Sequence, residues 1–376
     1  MANIQLIATS TFGLEAVVKR EVEQLGYKDI TVENGKVTFN SDESGIPKAN
    51  LWLRTADRVL LKMGEFKALS FEELFQGTKA LPWDEWITED GEFTVTGKSV
   101  NSKLFSVSDC QAIVKKAVVE KLKEKYKKEW FKEDGPKYTI QVSILKDIAT
   151  LTIDTSGEGL HKRGYRIENV EAPIKETLAA AIVSLSYWNS GRVLLDPFCG
   201  SGTIPIEAAM IGKNIAPGLQ RSFASEEWPR IGESLWKEAR KEAFKAIKQD
   251  LDIKIYASDI NPKAVEAAKE NAYEAGVDDC ITFDVKDATK VNLYDNYGVI
   301  ICNPPYGERL GEKREVEELY REMGQVFKKL ETWSVYVITS NEDFEKLYGK
   351  KADKKRKLFN GRIKVDYYQY YGPRPV

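Results

Sequence analysis

Asn303-Pro304-Pro305-Tyr306 stands at the end of an apolar run, Val299-Ile300-Ile301-Cys302. Its two prolines remove backbone donors and stiffen the turn, making the tetrapeptide a rigid platform at the end of a strand. These residue types suit one kind of chemistry. An exocyclic amine on an aromatic base is a poor nucleophile because its lone pair is delocalised into the ring, so alkylating it demands positioning more than a strong base. The Asn303 side-chain oxygen and the Pro304 carbonyl can each accept an amine hydrogen and aim the nitrogen at an electrophile. Tyr306 can then stack on an extruded base. An isolated Asn-Pro-Pro-Tyr is more often a plain Pro-rich turn, so the segments upstream decide. Cys302 lies inside the apolar strand, where a cysteine reads as a packing residue rather than a nucleophile for cytosine carbon.

Upstream, Leu194-Leu-Asp-Pro-Phe-Cys-Gly-Ser-Gly-Thr203 follows a second apolar strand and opens a helix. Glycines there let the backbone approach a ligand at the carboxyl edge of a sheet. Pro205 stands where a dinucleotide fingerprint needs its third glycine, and no Gly-Lys-Ser/Thr follows for a phosphate loop. What remains suits a ligand without phosphates. Asp196 can meet an ammonium, and the amides opening the helix can meet a carboxylate. Asp259, after the strand Ile253 to Ala257, is placed for two ribose hydroxyls, and Asp287, after Thr282 to Val285, for an adenine amine. Each alone is equally well a helix N-cap or loop carboxylate. In strand order they describe S-adenosylmethionine, whose sulfonium methyl is the electrophile the Asn303 turn requires.

These groups need a sheet to hold them. From Thr177 onward, continuous apolar strands alternate with helices, which predicts a mostly parallel sheet covered on both faces. Asn360-Gly361 predicts a hairpin that adds an antiparallel edge. Gly202 lies much further from Asp259 than the roughly 20 residues of a minimal unit, so an insertion near Asn214 to Gln249 is expected. Before this lie two α+β modules: a ferredoxin-like one over about residues 1–65, and another over 66–155 with a long helix from Ser108 to about Lys128. The glycine-rich, basic stretch Thr155 to Arg166 reads as a linker, with the catalytic part over 165–376.

The bulk numbers exclude some classes. The chain has 376 residues, 42% of them hydrophobic, and four widely spaced cysteines with one histidine, His161. That leaves most zinc and Ser-His-Asp chemistry without residues, and no metal is expected. No apolar run approaches the roughly 18 residues that span a bilayer, and no basic leader is visible, so a cytoplasmic protein away from membranes is expected. The formal charge is −2 with 30% charged residues. Affinity for a polyanion must therefore come from segregated basic faces.

Asp196-Pro-Phe-Cys-Gly-Ser-Gly-Thr203 with Asn303-Pro-Pro-Tyr306 resembles the class I methyltransferases that modify exocyclic amines. Gly159-Leu-His-Lys-Arg-Gly-Tyr-Arg166, Ala172-Pro-Ile-Lys-Glu-Thr-Leu178 and Ile215-Ala-Pro-Gly-Leu-Gln-Arg-Ser-Phe223 extend the resemblance over the whole chain. They are similar to the THUMP-containing family that makes 2-methylguanosine in large-subunit ribosomal RNA, in its single-methyltransferase form. The resemblance implies a Rossmann-like methyltransferase preceded by ferredoxin-like and THUMP modules, with the segment 214–249 belonging to the methyltransferase fold. It places Thr177, Phe198, Thr203, Ile260 and Ala288 beside the cofactor, together with Asp196, Gly200, Gly202, Asp259, Asp287 and Asn303. Ribosomal RNA is the implied partner, with transfer RNA second. Lys98, Lys115, Lys162, Arg163 and Arg166 are the expected RNA contacts. The lysines of the long helix are interleaved with Glu120, Glu124 and Glu129 as on a solvated face, and Lys350 to Lys357 is a second basic run. Trp228 is a core residue by default and a stacking platform otherwise. A protein-glutamine methyltransferase and a non-catalytic RNA-binding protein are the competing readings.

Overall fold

The computed structural model describes residues 3–167, 174–249, 251–291, 296–307 and 312–374. The chain divides into two units, each assembled from three separated segments. Unit 1 comprises Met1–Ser10, Lys19–Leu160 and Ser222–Glu242, and unit 2 comprises Thr11–Val18, His161–Arg221 and Ala243–Val376.

Unit 1 is built on one seven-stranded sheet. In chain order run β1 (Ile4–Thr9), α1 (Glu15–Gln24), β2 (Thr31–Glu33), β3 (Lys36–Ser41), α2 (Gly45–Trp52), β4 (Arg58–Lys67), α3 (Phe71–Lys79), β5 (Glu92–Val100), α4 (Val107–Tyr126), β6 (Lys137–Leu145) and β7 (Ile148–Asp154). Helix α1 begins in the segment assigned to unit 2. The sheet order is β2-β3-β1-β4-β7-β6-β5. The two modules expected from the sequence share this sheet, because β4 pairs antiparallel with β7 across a bulge between Lys62 and Gly64. In β6 strict alternation decides the faces: Tyr138, Ile140, Val142 and Ile144 are buried, whereas Lys137 and Leu145 are exposed. Ser70 caps α3 by accepting the Glu73 amide at 3.2 Å, a start signal legible in the sequence.

The middle of the expected insertion groups with unit 1 instead of with the methyltransferase fold. There Trp228 is buried, stacks on Tyr138 at 4.9 Å between centroids, and donates from Nε1 to the Lys137 carbonyl at 3.0 Å. It is a core residue. Arg230 lies 4.2 Å over the Trp86 ring and pairs with Glu43 and Glu85.

Unit 2 contains α5 (Glu176–Ser184), β8 (Leu194–Asp196), α6 (Thr203–Gly212), the end of α7 (Gly232–Lys245), β9 (Ile255–Asp259), α8 (Pro262–Glu274), β10 (Ile281–Val285), β11 (Val299–Cys302), α9 (Glu312–Phe327), β12 (Ser334–Thr339), α10 (Phe344–Tyr348), β13 (Lys354–Asn360) and β14 (Ile363–Tyr370). Its sheet order is β10-β9-β8-β11-β12-β14-β13, parallel as far as β12 and antiparallel beyond. The expected hairpin is β13–β14, with Asn360 opposite Ile363. The basic run near the C-terminus thus ends in an edge strand, where lysines discourage further strand pairing. Leu14 and Val17, from the short early segment, are buried in the same core as Leu178, Ile206, Ile301, Leu358 and Val365. Among the described residues no helix is long and apolar enough to cross a membrane.

Candidate active site

The strand order of unit 2 reverses at β8. Strands β9 and β10 lie to one side of it, and β11 and β12 to the other. A crevice forms outside the carboxyl ends at such a switch point, and it is where open α/β sheets bind ligands. Both sequence motifs lead out of it: the glycine loop from β8, and Asn303 to Tyr306 from its neighbour β11, with Leu195 opposite Ile300.

The glycine loop is shaped for a ligand. Gly200 has φ +52° and Gly202 φ +84°, a region that disfavours side chains. A Cβ at Gly200 would meet nothing within 4 Å, so the loop backbone faces open space there. At Gly202 a Cβ would lie 3.1 Å from Ala268 and 3.2 Å from Ile206, because α6 starts against α8. The Gly200 amide donates to Asp259 Oδ2 at 3.0 Å, and Cys199 N donates to the Ser258 carbonyl at 2.9 Å, tying the loop to the end of β9.

Asp196 is 1% exposed. Its Oδ1 accepts the Phe198 amide at 3.1 Å, but Oδ2 is buried and has no hydrogen-bond partner among the described residues. Burial holds this carboxyl well above the usual carboxylate range, and the charge of Asp259 adds to the effect. An unmatched buried acceptor beside open loop backbone fits a ligand ammonium. Asp259 carries a second hydrogen bond, from Asn261 N to Oδ1 at 2.9 Å, and keeps lone pairs for hydroxyl donors. Ile260, immediately after it, is 74% exposed, an apolar surface of the kind an adenine ring covers. Asp287 accepts both the amide (2.8 Å) and the hydroxyl (2.7 Å) of Thr289 on Oδ1, which lowers its pKa and makes it the cap of a short turn. Oδ2, which Lys290 Nζ approaches at 3.7 Å, is the oxygen left for an adenine amine. Ala288 and Thr177 are buried, Thr203 opens α6, and Phe198 packs half-buried on the opposite core cluster.

At the second motif, the Tyr306 hydroxyl donates to Asn303 Oδ1 at 2.7 Å. Tyr306 therefore occupies one lone pair of the amide oxygen instead of standing only as a stacking ring. Tyr320, which the sequence reading overlooked, donates from its buried hydroxyl to the Pro305 carbonyl at 2.7 Å and bonds Thr339 Oγ1 at 2.9 Å. This clamp fixes the platform from beneath. The spacing of Val316, Tyr320, Met323 and Phe327 on one face of α9 was the available signal. Cys302 is fully buried, and burial raises its thiol pKa, as its position in the strand suggested.

The expected RNA contacts separate. Lys98 and Lys162 are exposed. Lys115 is tied to the Phe93 carbonyl at 3.3 Å and to Glu133 at 3.4 Å. Arg163 is turned into the core of unit 2, where its Nε meets Glu207 Oε1 at 3.1 Å and Tyr165 donates to the same oxygen. Arg166 braces the cofactor loop: it donates to Ser201 Oγ at 3.0 Å, Thr203 Oγ1 at 2.9 Å and Glu176 Oε1 at 2.8 Å. Neither arginine is presented to a polyanion, because buried carboxylates and hydroxyls claim their donors.

Fold and site together define a class I methyltransferase whose cofactor is S-adenosylmethionine. The methyltransferase-domain family described as RMKL-like matches residues 163–369, preceded by an RlmL ferredoxin-like domain at 5–60 and a THUMP domain at 68–154. The chain belongs to this family. It is 57% identical over 376 residues to "Putative RNA methyltransferase YpsC" of Bacillus subtilis (strain 168), covering 99% of this chain and 97% of that one. A crystal structure titled as a "predicted N6-adenine-specific DNA methylase" from Listeria monocytogenes is 55% identical, covers 99% of this chain and 97% of that one, and superposes with TM-score 0.95. Another, "SMU.472, a putative methyltransferase complexed with SAH", is 46% identical over the full length of both chains, with TM-score 0.95.

Two results are expected at the cofactor site. Asp259→Ala removes a charged acceptor and the anchor of the Gly200 amide, so cofactor affinity should weaken by roughly 1 to 3 kcal/mol. Unchanged calorimetric affinity would remove Asp259 from the site. The second concerns Asp196. A carboxyl whose folded pKa is raised contributes stability below its unfolded pKa of about 3.9 and loses it as pH rises through the folded value. An ammonium at Oδ2 favours the ionised form, so cofactor binding should expel a proton and tighten with rising pH until Asp196 ionises unaided. Calorimetry in buffers of different ionisation enthalpy reads this directly; a buffer-independent enthalpy at every pH above the usual carboxylate range would contradict it.

Proposed function

We propose that the protein methylates the exocyclic amine of a guanine in RNA, with large-subunit (23S) ribosomal RNA as the first candidate and transfer RNA the second. The observation that carries this reading is the Asn303-Pro304 acceptor pair on a braced turn beside the cofactor loop. S-adenosylmethionine supplies the methyl as an electrophile. The chain's part is to hold the amine: Asn303 Oδ1 has a second lone pair beside the one Tyr306 uses, and the Pro304 carbonyl points the other hydrogen bond. Positioning of this kind replaces base strength.

The names of two relatives differ, one stating RNA and the other the N6 amine of adenine in DNA. Both names are compatible with methylation of an exocyclic amine. The THUMP and ferredoxin-like domains support RNA over DNA and over a protein glutamine, whose amide would suit the same acceptors. Guanine over adenine follows the resemblance to the 2-methylguanosine family. A purely RNA-binding protein would not need Gly200, Gly202, Asp259 and Asn303 intact. In this reading the N-terminal modules select the RNA and the part beyond residue 165 holds the chemistry.

Nucleoside mass spectrometry of ribosomal and transfer RNA from cells lacking the protein tests it. Loss of one methylguanosine, restored by the wild type but not by Asn303→Ala, is expected. Loss of methyladenine in DNA, or of methylglutamine in a protein with RNA unchanged, would replace this function by another.

A further inference from the structure

Four of the lysines that the sequence offers as an RNA face on and after α4 are neutralised, whereas Lys116, Lys125 and Lys127 make no ion pair among the described residues. On and after α4, Lys115 pairs with Glu133, Lys121 with Asp84, Lys123 with Glu120 and Glu129, and Lys128 with Glu89. Each pair leaves little field for a phosphate to feel. A different set of lysines in unit 1 is exposed and makes no ion pair among the described residues: Lys67, Lys98, Lys103 and Lys146.

The register brings these four to one end of the sheet. Val100 is opposite Leu145, Leu145 is opposite Ile148, and Ile148 is opposite Lys67, which makes one cross-strand row over β5, β6, β7 and β4. Paired residues share a face, so Val100, Leu145 and Ile148 form an exposed apolar strip that ends on a lysine. Lys98, two residues before Val100, lies on the same face. The loop after β5 closes over this end: Lys146 N donates to the Val100 carbonyl at 3.2 Å, and Lys103 N to Asp147 Oδ1 at 2.7 Å. That hydrogen bond turns the one nearby turn carboxylate onto backbone. Glu65, on the adjacent row, is held by Lys62 and the Thr150 hydroxyl. From the same loop Phe105 projects, 83% exposed.

An exposed aromatic and an apolar strip bordered by unneutralised lysines match an unpaired polynucleotide, whose bases stack while its phosphates meet cations. A protein partner would have no need of four unmatched positive charges. We infer that this end of the unit 1 sheet grips an unpaired stretch of the RNA, with bases on Phe105 and the apolar strip and phosphates on Lys67, Lys98, Lys103 and Lys146. The inference rests on the RNA reading above and adds where the RNA is held.

The test uses the full chain and a fluorescein-labelled single-stranded RNA of mixed sequence, about 16 nucleotides long, by anisotropy over a salt series. Phe105→Ala should weaken binding about 5-fold or more with the salt slope unchanged. Lys98→Ala/Lys103→Ala/Lys146→Ala should weaken it and flatten the log–log slope by about 2, near 0.7 per lost phosphate contact. Lys123→Ala/Lys128→Ala on and after α4 should bind as the wild type does. An unchanged urea-unfolding transition in every variant confirms that unit 1 is folded. Patch variants that bind like the wild type, or control variants that weaken as much as they do, would overturn the inference and leave the RNA reading standing. A wild type with no measurable affinity for this RNA or for a hairpin would overturn both.

Discussion

Asn303→Ala is expected to slow methyl transfer by about 100-fold or more with cofactor affinity nearly unchanged. The amide oxygen is the only side-chain carbonyl of the tetrapeptide, and the prolines and the Tyr320 clamp leave the turn no freedom to offer another in its place. Removing it also releases the Tyr306 hydroxyl, which in the wild type fixes the amide at 2.7 Å. Because the lost interaction strengthens as the amine develops positive charge, kcat and kcat/KM should fall together. Single-turnover kinetics beside calorimetry separate the effects. Methylation near the wild-type rate would end the amine-orienting role.

The second large effect is on stability. Arg163 and Glu207 form an ion pair with side chains 2% and 0% exposed, joined by the Tyr165 hydroxyl. Arg163→Ala would leave the Glu207 carboxylate buried against one neutral donor, at a cost of about 3 to 5 kcal/mol. Urea unfolding should show that loss. A double variant, Arg163→Met/Glu207→Leu, removes both charges and should recover most of it, since the penalty lies in the unpaired charge and not in the absence of the pair. A single variant as stable as the wild type would mean that Glu207 finds water.

Arg163 also marks where the sequence stops being legible. The strands of unit 2 and the two turns leaving them could be read because local pattern decides them: apolar runs, glycines where φ is positive, prolines where donors are absent. A charged residue between glycines reads as a solvated linker, and nothing local announces a carboxylate 44 residues away on α6. Arg166 was hidden for the same reason, since its partners Ser201 and Thr203 look like loop residues of the cofactor motif. The sharing of one sheet by two modules was hidden too. Pairing of β4 with β7 joins residues far apart in sequence, and each module taken alone has a complete pattern of its own. Trp228 sits in an insertion whose position after β8 and α6 suggested the methyltransferase fold as its owner, whereas it belongs to unit 1 together with its ring partner Tyr138.

The early segment Thr11–Val18 imposes an order in time. Leu14 and Val17 leave the ribosome long before Leu358 and Val365, with which they share a core. At roughly 5 to 20 residues per second, the wait is on the order of tens of seconds. Unit 1 has its last segment once Glu242 is made, while the sheet of unit 2 still lacks six of its seven strands, β9 and β11 among them. A nascent chain therefore carries a finished N-terminal unit well before it can hold a cofactor, and its catalytic capacity arrives with the last strands translated.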